Sequence, residues 1–128
     1  MIRDGEAVVA MIFRSDYRPE MTEFATTDDL PFQVGYVVYP AGGVITAHRH
    51  VPLERHLTTT TEALFVKTGR AVAYFYGADG TLLETHEIAE GDFVLLLGCG
   101  HGFRMEEETV LVEVKQGPYF GADEKEYL

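Results

Sequence analysis

Short apolar runs separated by turn residues extend along most of this chain and limit the folds it can adopt. Valine, isoleucine, leucine and aromatic residues occur in brief stretches, and glycine, proline or acidic residues stand between most of them. No segment keeps an apolar stripe at helical spacing over several turns. The pattern is typical of an all-β fold. The predicted strands are residues 7–14, 33–39, 43–50, 62–68, 71–77, 81–88, 92–97, 101–106 and 109–115.

Turn chemistry supports this prediction at particular positions. Asp79 and Gly80 lie between two strand-like runs and predict a β-hairpin. Gly91 and Asp92 predict a tight turn before a buried strand. Only residues 16–31 leave room for one or two turns of helix. Many short strands at roughly ten-residue spacing favour a sandwich or a barrel, in which few sheet edges stay open.

The last predicted strand leaves two orientations open. Val110, Val112 and Val114 share one face of the strand, and Glu113 lies on the other. Either Glu113 faces water, which we favour because a carboxylate is costly to bury, or the valines do and Glu113 points inward.

Length and charge exclude several classes of protein. The 128 residues are enough for one domain, which we place over residues 1–128, with a core from about 33 to 115, an N-terminal strand and an acidic C-terminal tail. A net charge of −11 disfavours binding to nucleic acid or to anionic membranes. We recognise no signal peptide and no apolar run that could span a membrane. Cys99 is the single cysteine, so no internal disulfide can form, and we expect a cytoplasmic protein.

Histidines and a glutamate define a candidate metal site. His48 and His50 are two residues apart in a predicted strand, so both imidazoles are expected on one face. Glu62 begins the next predicted strand and offers a carboxylate on a rigid base. His101 opens a late strand directly after a Gly-Cys-Gly turn and is the natural fourth donor. This donor set suits a divalent transition metal.

These positions resemble the two sequence motifs of the cupin superfamily. The first motif, a glycine followed by His-x-His, a glutamate and a later glycine, is matched by Gly42, His48, His50, Glu62 and Gly69. The resemblance spans roughly residues 33–115.

The second cupin motif is a Gly-Asp pair, an apolar stretch, a turn and a histidine. It is matched by Gly91, Asp92, residues 93–97, residues 98–100 and His101. The resemblance implies a cupin-type double-stranded β-helix, or jelly-roll barrel, with a metal held by His48, His50, Glu62 and His101.

The chain departs from the cupin pattern at two places. Eleven residues separate His50 from Glu62, where the family has three or four, so Glu54 fits the usual gap better. We favour Glu62 as the carboxylate ligand because it begins a strand, whereas Glu54 lies in a loop beside a proline. Leu97 also stands where the second motif has proline.

The resemblance implies a range of functions. A metal-dependent enzyme acting on a small polar metabolite, of dioxygenase, decarboxylase or sugar-isomerase type, is the first hypothesis, with Mn, Fe, Co, Ni or Zn as the metal. Glu54, His56 and Tyr74 are the candidate catalytic acids or bases. The alternatives are a non-catalytic cupin that binds a small molecule or sugar, and a metal-free protein similar to sugar epimerases. We also expect a homodimer, in which residues 7–13 pair across a two-fold axis.

Overall fold

The computed structural model describes residues 1–128, and the fold is all-β with antiparallel sheets. Its one helix is a short 3-10 turn, and no helix is long and apolar enough to cross a membrane. The elements are β1 (Ile2–Asp4), β2 (Ala7–Phe13), β3 (Glu23–Phe24), β4 (Gly35–Tyr36), β5 (Glu62–Thr68), β6 (Arg70–Tyr76), β7 (Leu82–Ala89), β8 (Phe93–Leu96), β9 (Gly100–Met105), β10 (Val110–Lys115) and the 3-10 turn Ala122–Glu124.

The chain forms two compact units. The first unit comprises Met1–Asp16 and Thr59–Leu128, and the second comprises Tyr17–Thr58. The first unit contains a five-stranded sheet in the order β1-β2-β8-β5-β10 and a three-stranded sheet in the order β7-β6-β9. In the second unit, β3 pairs with β4.

The core of the first unit is built from apolar side chains of both its sheets. Phe75 and Ile88 are fully buried and come from the three-stranded sheet, and they belong to one cluster with Leu64, Val66 and Val94 of the five-stranded sheet. Full burial of such a side chain stabilises the fold by about 1.5–3 kcal/mol, so this cluster is the main source of cohesion between the two sheets.

The hairpin predicted at Asp79 and Gly80 is confirmed. β6 and β7 pair along their length, and the Gly77 amide donates to the Thr81 carbonyl at 2.8 Å across the turn. Gly80 has φ of 82°, a backbone conformation that glycine adopts without steric cost. Asp79 Oδ1 accepts from the Thr81 amide at 2.9 Å, and hydrogen bonding from Thr81 lowers the pKa of Asp79.

The turn predicted at Gly91 and Asp92 is also confirmed, and Asp92 is buried there. Its Oδ1 accepts from the Ser15 amide at 2.9 Å, and its Oδ2 accepts from the Ala89 amide and from Arg14 Nη1, both at 3.0 Å. One carboxylate therefore fastens the segment after β2 to the turn that links β7 with β8.

Replacing Asp92 with alanine tests this role. Asp92→Ala leaves buried or part-buried donors without their acceptor and should lower the free energy of unfolding by about 1–3 kcal/mol in a denaturant titration. Glu90→Ala, an exposed neighbour in the same turn, is the matched control and should stay within about 0.5 kcal/mol of the unsubstituted protein. Equal stabilities for the two variants would contradict the role of Asp92.

Three predictions about the region before β5 are wrong. The strand predicted over 33–39 is reduced to Gly35–Tyr36, and residues 43–50 form no strand. Residues 16–31 contain no helical turn and hold β3 instead. Apolar alternation shows that a segment suits a sheet, but the strand forms only where its backbone groups find a neighbour.

In β10 the valines face outward. Val110, Val112 and Val114 are 45%, 45% and 58% exposed, whereas Leu111 packs against the core. Glu113 shares the face of Leu111 and lies opposite the core residue Leu64 of β5. Glu113 is nevertheless exposed, because β10 is at the edge of the sheet. Glu113 is thus exposed, as we favoured from the sequence, but the burial of the valines that this orientation implied is wrong.

Candidate metal site

Glu62 and His101 face each other in the first unit. Glu62 is the first residue of β5, in the five-stranded sheet, and His101 is the second residue of β9, in the three-stranded sheet. Glu62 Oε2 lies 3.1 Å from His101 Nε2. The Glu62 side chain is only 12% exposed, and that of His101 is 31% exposed. The two sheets thus bring together two residues that are far apart in the sequence.

The other ring nitrogen of His101 fixes its tautomer. His101 Nδ1 lies 3.0 Å from the Cys99 carbonyl oxygen. A carbonyl oxygen can only accept, so the hydrogen-bond network assigns the proton to Nδ1. In a neutral ring, Nε2 then presents a lone pair to the Glu62 carboxylate. Two acceptors at this distance repel each other unless a cation, either a proton or a metal ion, lies between them.

The geometry of this pair fits two ligands of one metal ion. Ligand atoms about 2.1 Å from an ion and at right angles to each other are about 3.0 Å apart. A metal-bound histidine also commonly donates its second ring N–H to a carbonyl oxygen, which fixes the orientation of the ring. Cys99 supplies that carbonyl to His101. The residues present therefore fit a metal, and they equally fit a proton shared between imidazole and carboxylate.

His48 and His50 form a second pair, which lies in the second unit. Their ring centroids are 5.4 Å apart, with the ring planes inclined at 65°. His48 Nδ1 lies 2.8 Å from the Thr46 carbonyl oxygen, so by the same argument its Nε2 carries a free lone pair in the neutral ring. Both residues are exposed. The rings are adjacent although the strand expected to align them is absent.

The four predicted ligands thus occur as two pairs, each described within its own unit. No group of three or more His, Cys, Asp or Glu side chains in the structure is arranged to hold a metal ion. The complete set of His48, His50, Glu62 and His101 stays a prediction.

Of the three predicted catalytic residues, only Tyr74 belongs to the first unit, which holds the Glu62–His101 pair. Glu54 and His56 are exposed residues of the second unit and belong to no strand. Tyr74 lies on β6 opposite Gly102, whereas the adjacent Phe75 lies opposite His101. Since neighbouring residues of a strand point to opposite faces, Tyr74 is on the other face of the sheet from His101.

A second histidine–glutamate pair was missed from the sequence, which suggested a surface position for His86. His86 Nε2 lies 2.6 Å from Glu84 Oε2 on β7, and the His86 ring lies 6.2 Å from the ring of buried Phe75. The signal was the i, i+2 spacing, which puts both side chains on one face of a strand. Alternation predicted the shared face, but the packing of His86 on Phe75 depends on β6.

Cys99 precedes β9 and is half-buried. Burial, together with the negative charge of Glu62, raises the pKa of the Cys99 thiol to about 11. The thiol therefore stays protonated at neutral pH, which makes it a poor nucleophile and a poor metal ligand.

Alkylation of Cys99 measures this directly. Because the pKa is raised from 9.0 to about 11, the thiolate fraction at pH 8 should be about 100-fold lower than in the unfolded chain. Iodoacetamide labelling followed by mass spectrometry should accelerate up to about pH 11 in the folded protein. A rate that levels off near pH 9, as in the unfolded control, would contradict the raised pKa.

No protein-family model matches this chain, and no curated protein or solved structure matches it either.

Proposed function

We propose that this chain is a metal-binding protein of cupin type that acts on a small polar metabolite. Glu62 and His101 would hold a divalent transition metal, with His48 and His50 as the further ligands. The observation that carries the proposal is the 3.1 Å approach of His101 Nε2 to Glu62 Oε2 while Nδ1 donates to a backbone carbonyl.

Two glycines of the cupin-like motifs have conformations that support the resemblance. Gly69 and Gly91 have φ of 91° and 88°, which other residues rarely adopt. A Cβ at Gly69 would lie within van der Waals overlap of the Glu108 carbonyl and of Thr109. Both motif positions therefore require glycine for backbone reasons. The antiparallel two-sheet arrangement of the first unit is compatible with a jelly-roll barrel.

The same geometry favours Glu62 over Glu54 as the carboxylate ligand. Glu62 is held by β5, which pairs with β8 on one side and β10 on the other, and its side chain is largely shielded from water. Glu54 is exposed and lies in a segment without regular structure. A ligand on a paired strand loses less conformational entropy when it binds an ion.

A bound transition metal would supply Lewis acidity to substrate oxygen atoms, the chemistry shared by dioxygenases, decarboxylases and sugar isomerases of this type. Glu62 would partly neutralise the charge of the ion, and the Cys99 carbonyl would keep His101 Nε2 directed at it. The Phe103 ring lies 6.0 Å from that of His101 and would form an apolar side of the site. The donor set admits Mn, Fe, Co, Ni or Zn.

Two observations favour alternatives. The position of Tyr74, on the other face of the sheet from His101, favours a cupin that binds a small molecule or sugar without turnover. The Glu84–His86 pair favours a metal-free acid–base protein similar to sugar epimerases, because a carboxylate can orient and charge an imidazole that moves protons.

Metal content distinguishes these possibilities. Purified untagged protein should bind Mn²⁺, Ni²⁺ or Zn²⁺ in calorimetric titrations, and elemental analysis should find about one ion per chain. Glu62→Gln and His101→Ala each remove a ligand and should weaken binding at least about tenfold.

Glu54→Gln is the matched control and should bind metal as the unsubstituted protein does. Loss of metal binding in Glu54→Gln with retention in Glu62→Gln would show that Glu54, and not Glu62, is the carboxylate ligand. No uptake of any of the three ions by the unsubstituted protein would overturn the metal-binding function itself.

The pH dependence of metal affinity offers a separate check. Imidazole binds metal only when deprotonated, so a histidine-dominated site should lose affinity progressively between about pH 7 and pH 5. Calorimetry at several pH values should show this loss, with proton release into the buffer on binding. Affinity that stays constant down to about pH 4 would indicate a site made of carboxylates.

A further inference from the structure

Residues 37–58, which we name the exposed segment, carry an unusual load of uncovered apolar side chains. Every residue of the segment is exposed, and none belongs to a helix or strand. Its large apolar residues are between 37% and 76% exposed and are Val37, Val38, Tyr39, Val44, Ile45, Val51, Leu53 and Leu57. A monomeric protein rarely leaves such a set in contact with water, so the segment has the character of a docking element.

The first unit has an exposed apolar sheet edge, β10, that suits the apolar side chains of the exposed segment. β10 is the last strand of the five-stranded sheet, so the backbone groups along its outer side meet no further strand. Val112 and Val114 are exposed on it, and Phe65, which lies opposite Val112 on β5, is 41% exposed. No proline interrupts the strand, and no lysine stands among the outward valines. Proline and outward lysine are two usual protections of an edge strand against pairing. β10 has two others, the register shift between Val110 and Leu111 and the charge of Glu113 on the inward face, and both leave the outer backbone groups from Val112 to Lys115 without a neighbouring strand.

The core beneath this edge is incompletely covered. Leu111 on β10 and Phe103 on β9 both pack against the core and both remain partly exposed. β9 is likewise the last strand of its own sheet. Another strand laid along β10 would cover apolar surface and satisfy backbone groups together, which is how strand addition gains affinity.

Charge favours the docking of the exposed segment on a second copy of this chain. The segment holds Arg49 and Arg55 against the single acidic residue Glu54, for a net charge of +1. Since the whole chain carries −11, the rest of it carries −12. A slightly basic apolar segment is attracted to an acidic body, whereas two acidic bodies repel each other elsewhere on their surfaces.

We propose that residues 43–50 of one copy add as a strand to the free edge of β10 in a second copy. The remainder of the exposed segment covers the outward valines and Phe65 of that copy. Because each chain carries both the segment and the edge, the exchange is reciprocal and closes as a two-fold dimer. The strand predicted over 43–50 from its alternation then forms with a partner from the other chain. This interface does not involve β2, whose residues already pair with β1 and β8.

Isotope-resolved crosslinking tests which chain the segment contacts. Ile45 is replaced by the photoreactive residue benzoylphenylalanine, and equal amounts of unlabelled and ¹⁵N-labelled protein are equilibrated and irradiated. Mass spectrometry should find crosslinked peptides of mixed isotope that join position 45 to residues 109–116. Crosslinks confined to single chains, a monomeric mass by sedimentation, or mixed-isotope crosslinks to β1 or β7 would each overturn the proposal.

Substitutions at the two surfaces give a second test that needs no crosslinker. Val112→Arg on β10 and Ile45→Glu in the exposed segment should each raise the dimer dissociation constant at least about tenfold in sedimentation equilibrium. The controls are Leu82→Arg and Leu82→Glu on β7, an exposed apolar position outside the proposed interface. Circular dichroism verifies folding of all four variants. Unchanged dissociation constants for Val112→Arg and Ile45→Glu, or equal weakening by the controls, would overturn the proposal.

The tests of the dimer interface do not depend on metal binding. A protein that takes up no metal and still gives mixed-isotope crosslinks to β10 would have the interface without the proposed function. A metal-binding monomer would have the function without the interface.

Discussion

Backbone pairing between strands determines where this chain can form a core. A strand leaves half of its N–H and C=O groups unsatisfied unless a neighbour lies along each side, and burying such groups unpaired costs more than the apolar contacts return. In the first unit, β2, β8, β5 and β6 have neighbours on both sides, and most of the fully buried residues come from these strands. The core forms where pairing is most complete.

The placement of Glu62 and His101 is a consequence of that pairing. Register between β5 and β8 puts Glu62 opposite Leu96, and register between β6 and β9 puts His101 opposite Phe75. Both partners are buried core residues, so the sheets that enclose the core also bring the carboxylate to the imidazole. The polar pair lies at the strand ends, where part of each side chain still reaches water. A site at this position combines rigid support with access for a small molecule.

Local chemistry made part of the fold predictable from the sequence. Asp79 and Gly80 predict their hairpin because the turn is decided by a few consecutive residues, and Gly91 predicts its turn for the same reason. The run that begins at Glu62 alternates strongly enough to locate β5. The approach of His101 to Glu62 was expected from the place of His101 at the start of a late strand and from the resemblance to a known family, because no rule of spacing relates residues so distant in sequence. The packing of His86 on Phe75 was missed because it depends on two strands meeting.

Residues 43–50 have the alternation of a β-strand but form none. A sequence pattern can therefore suit a strand whose backbone hydrogen bonds a single chain does not supply. The pattern specifies an apolar face and a polar face, but the hydrogen bonds of a strand must come from another segment. In one chain, His48 and His50 are therefore neighbours without a strand to align them. If this segment becomes a strand by adding to β10 of a second copy, its alternation separates an apolar face from a polar face, and both imidazoles then project from one face. Dimer formation and the ordering of these two histidines would be a single event, because the same backbone hydrogen bonds produce both.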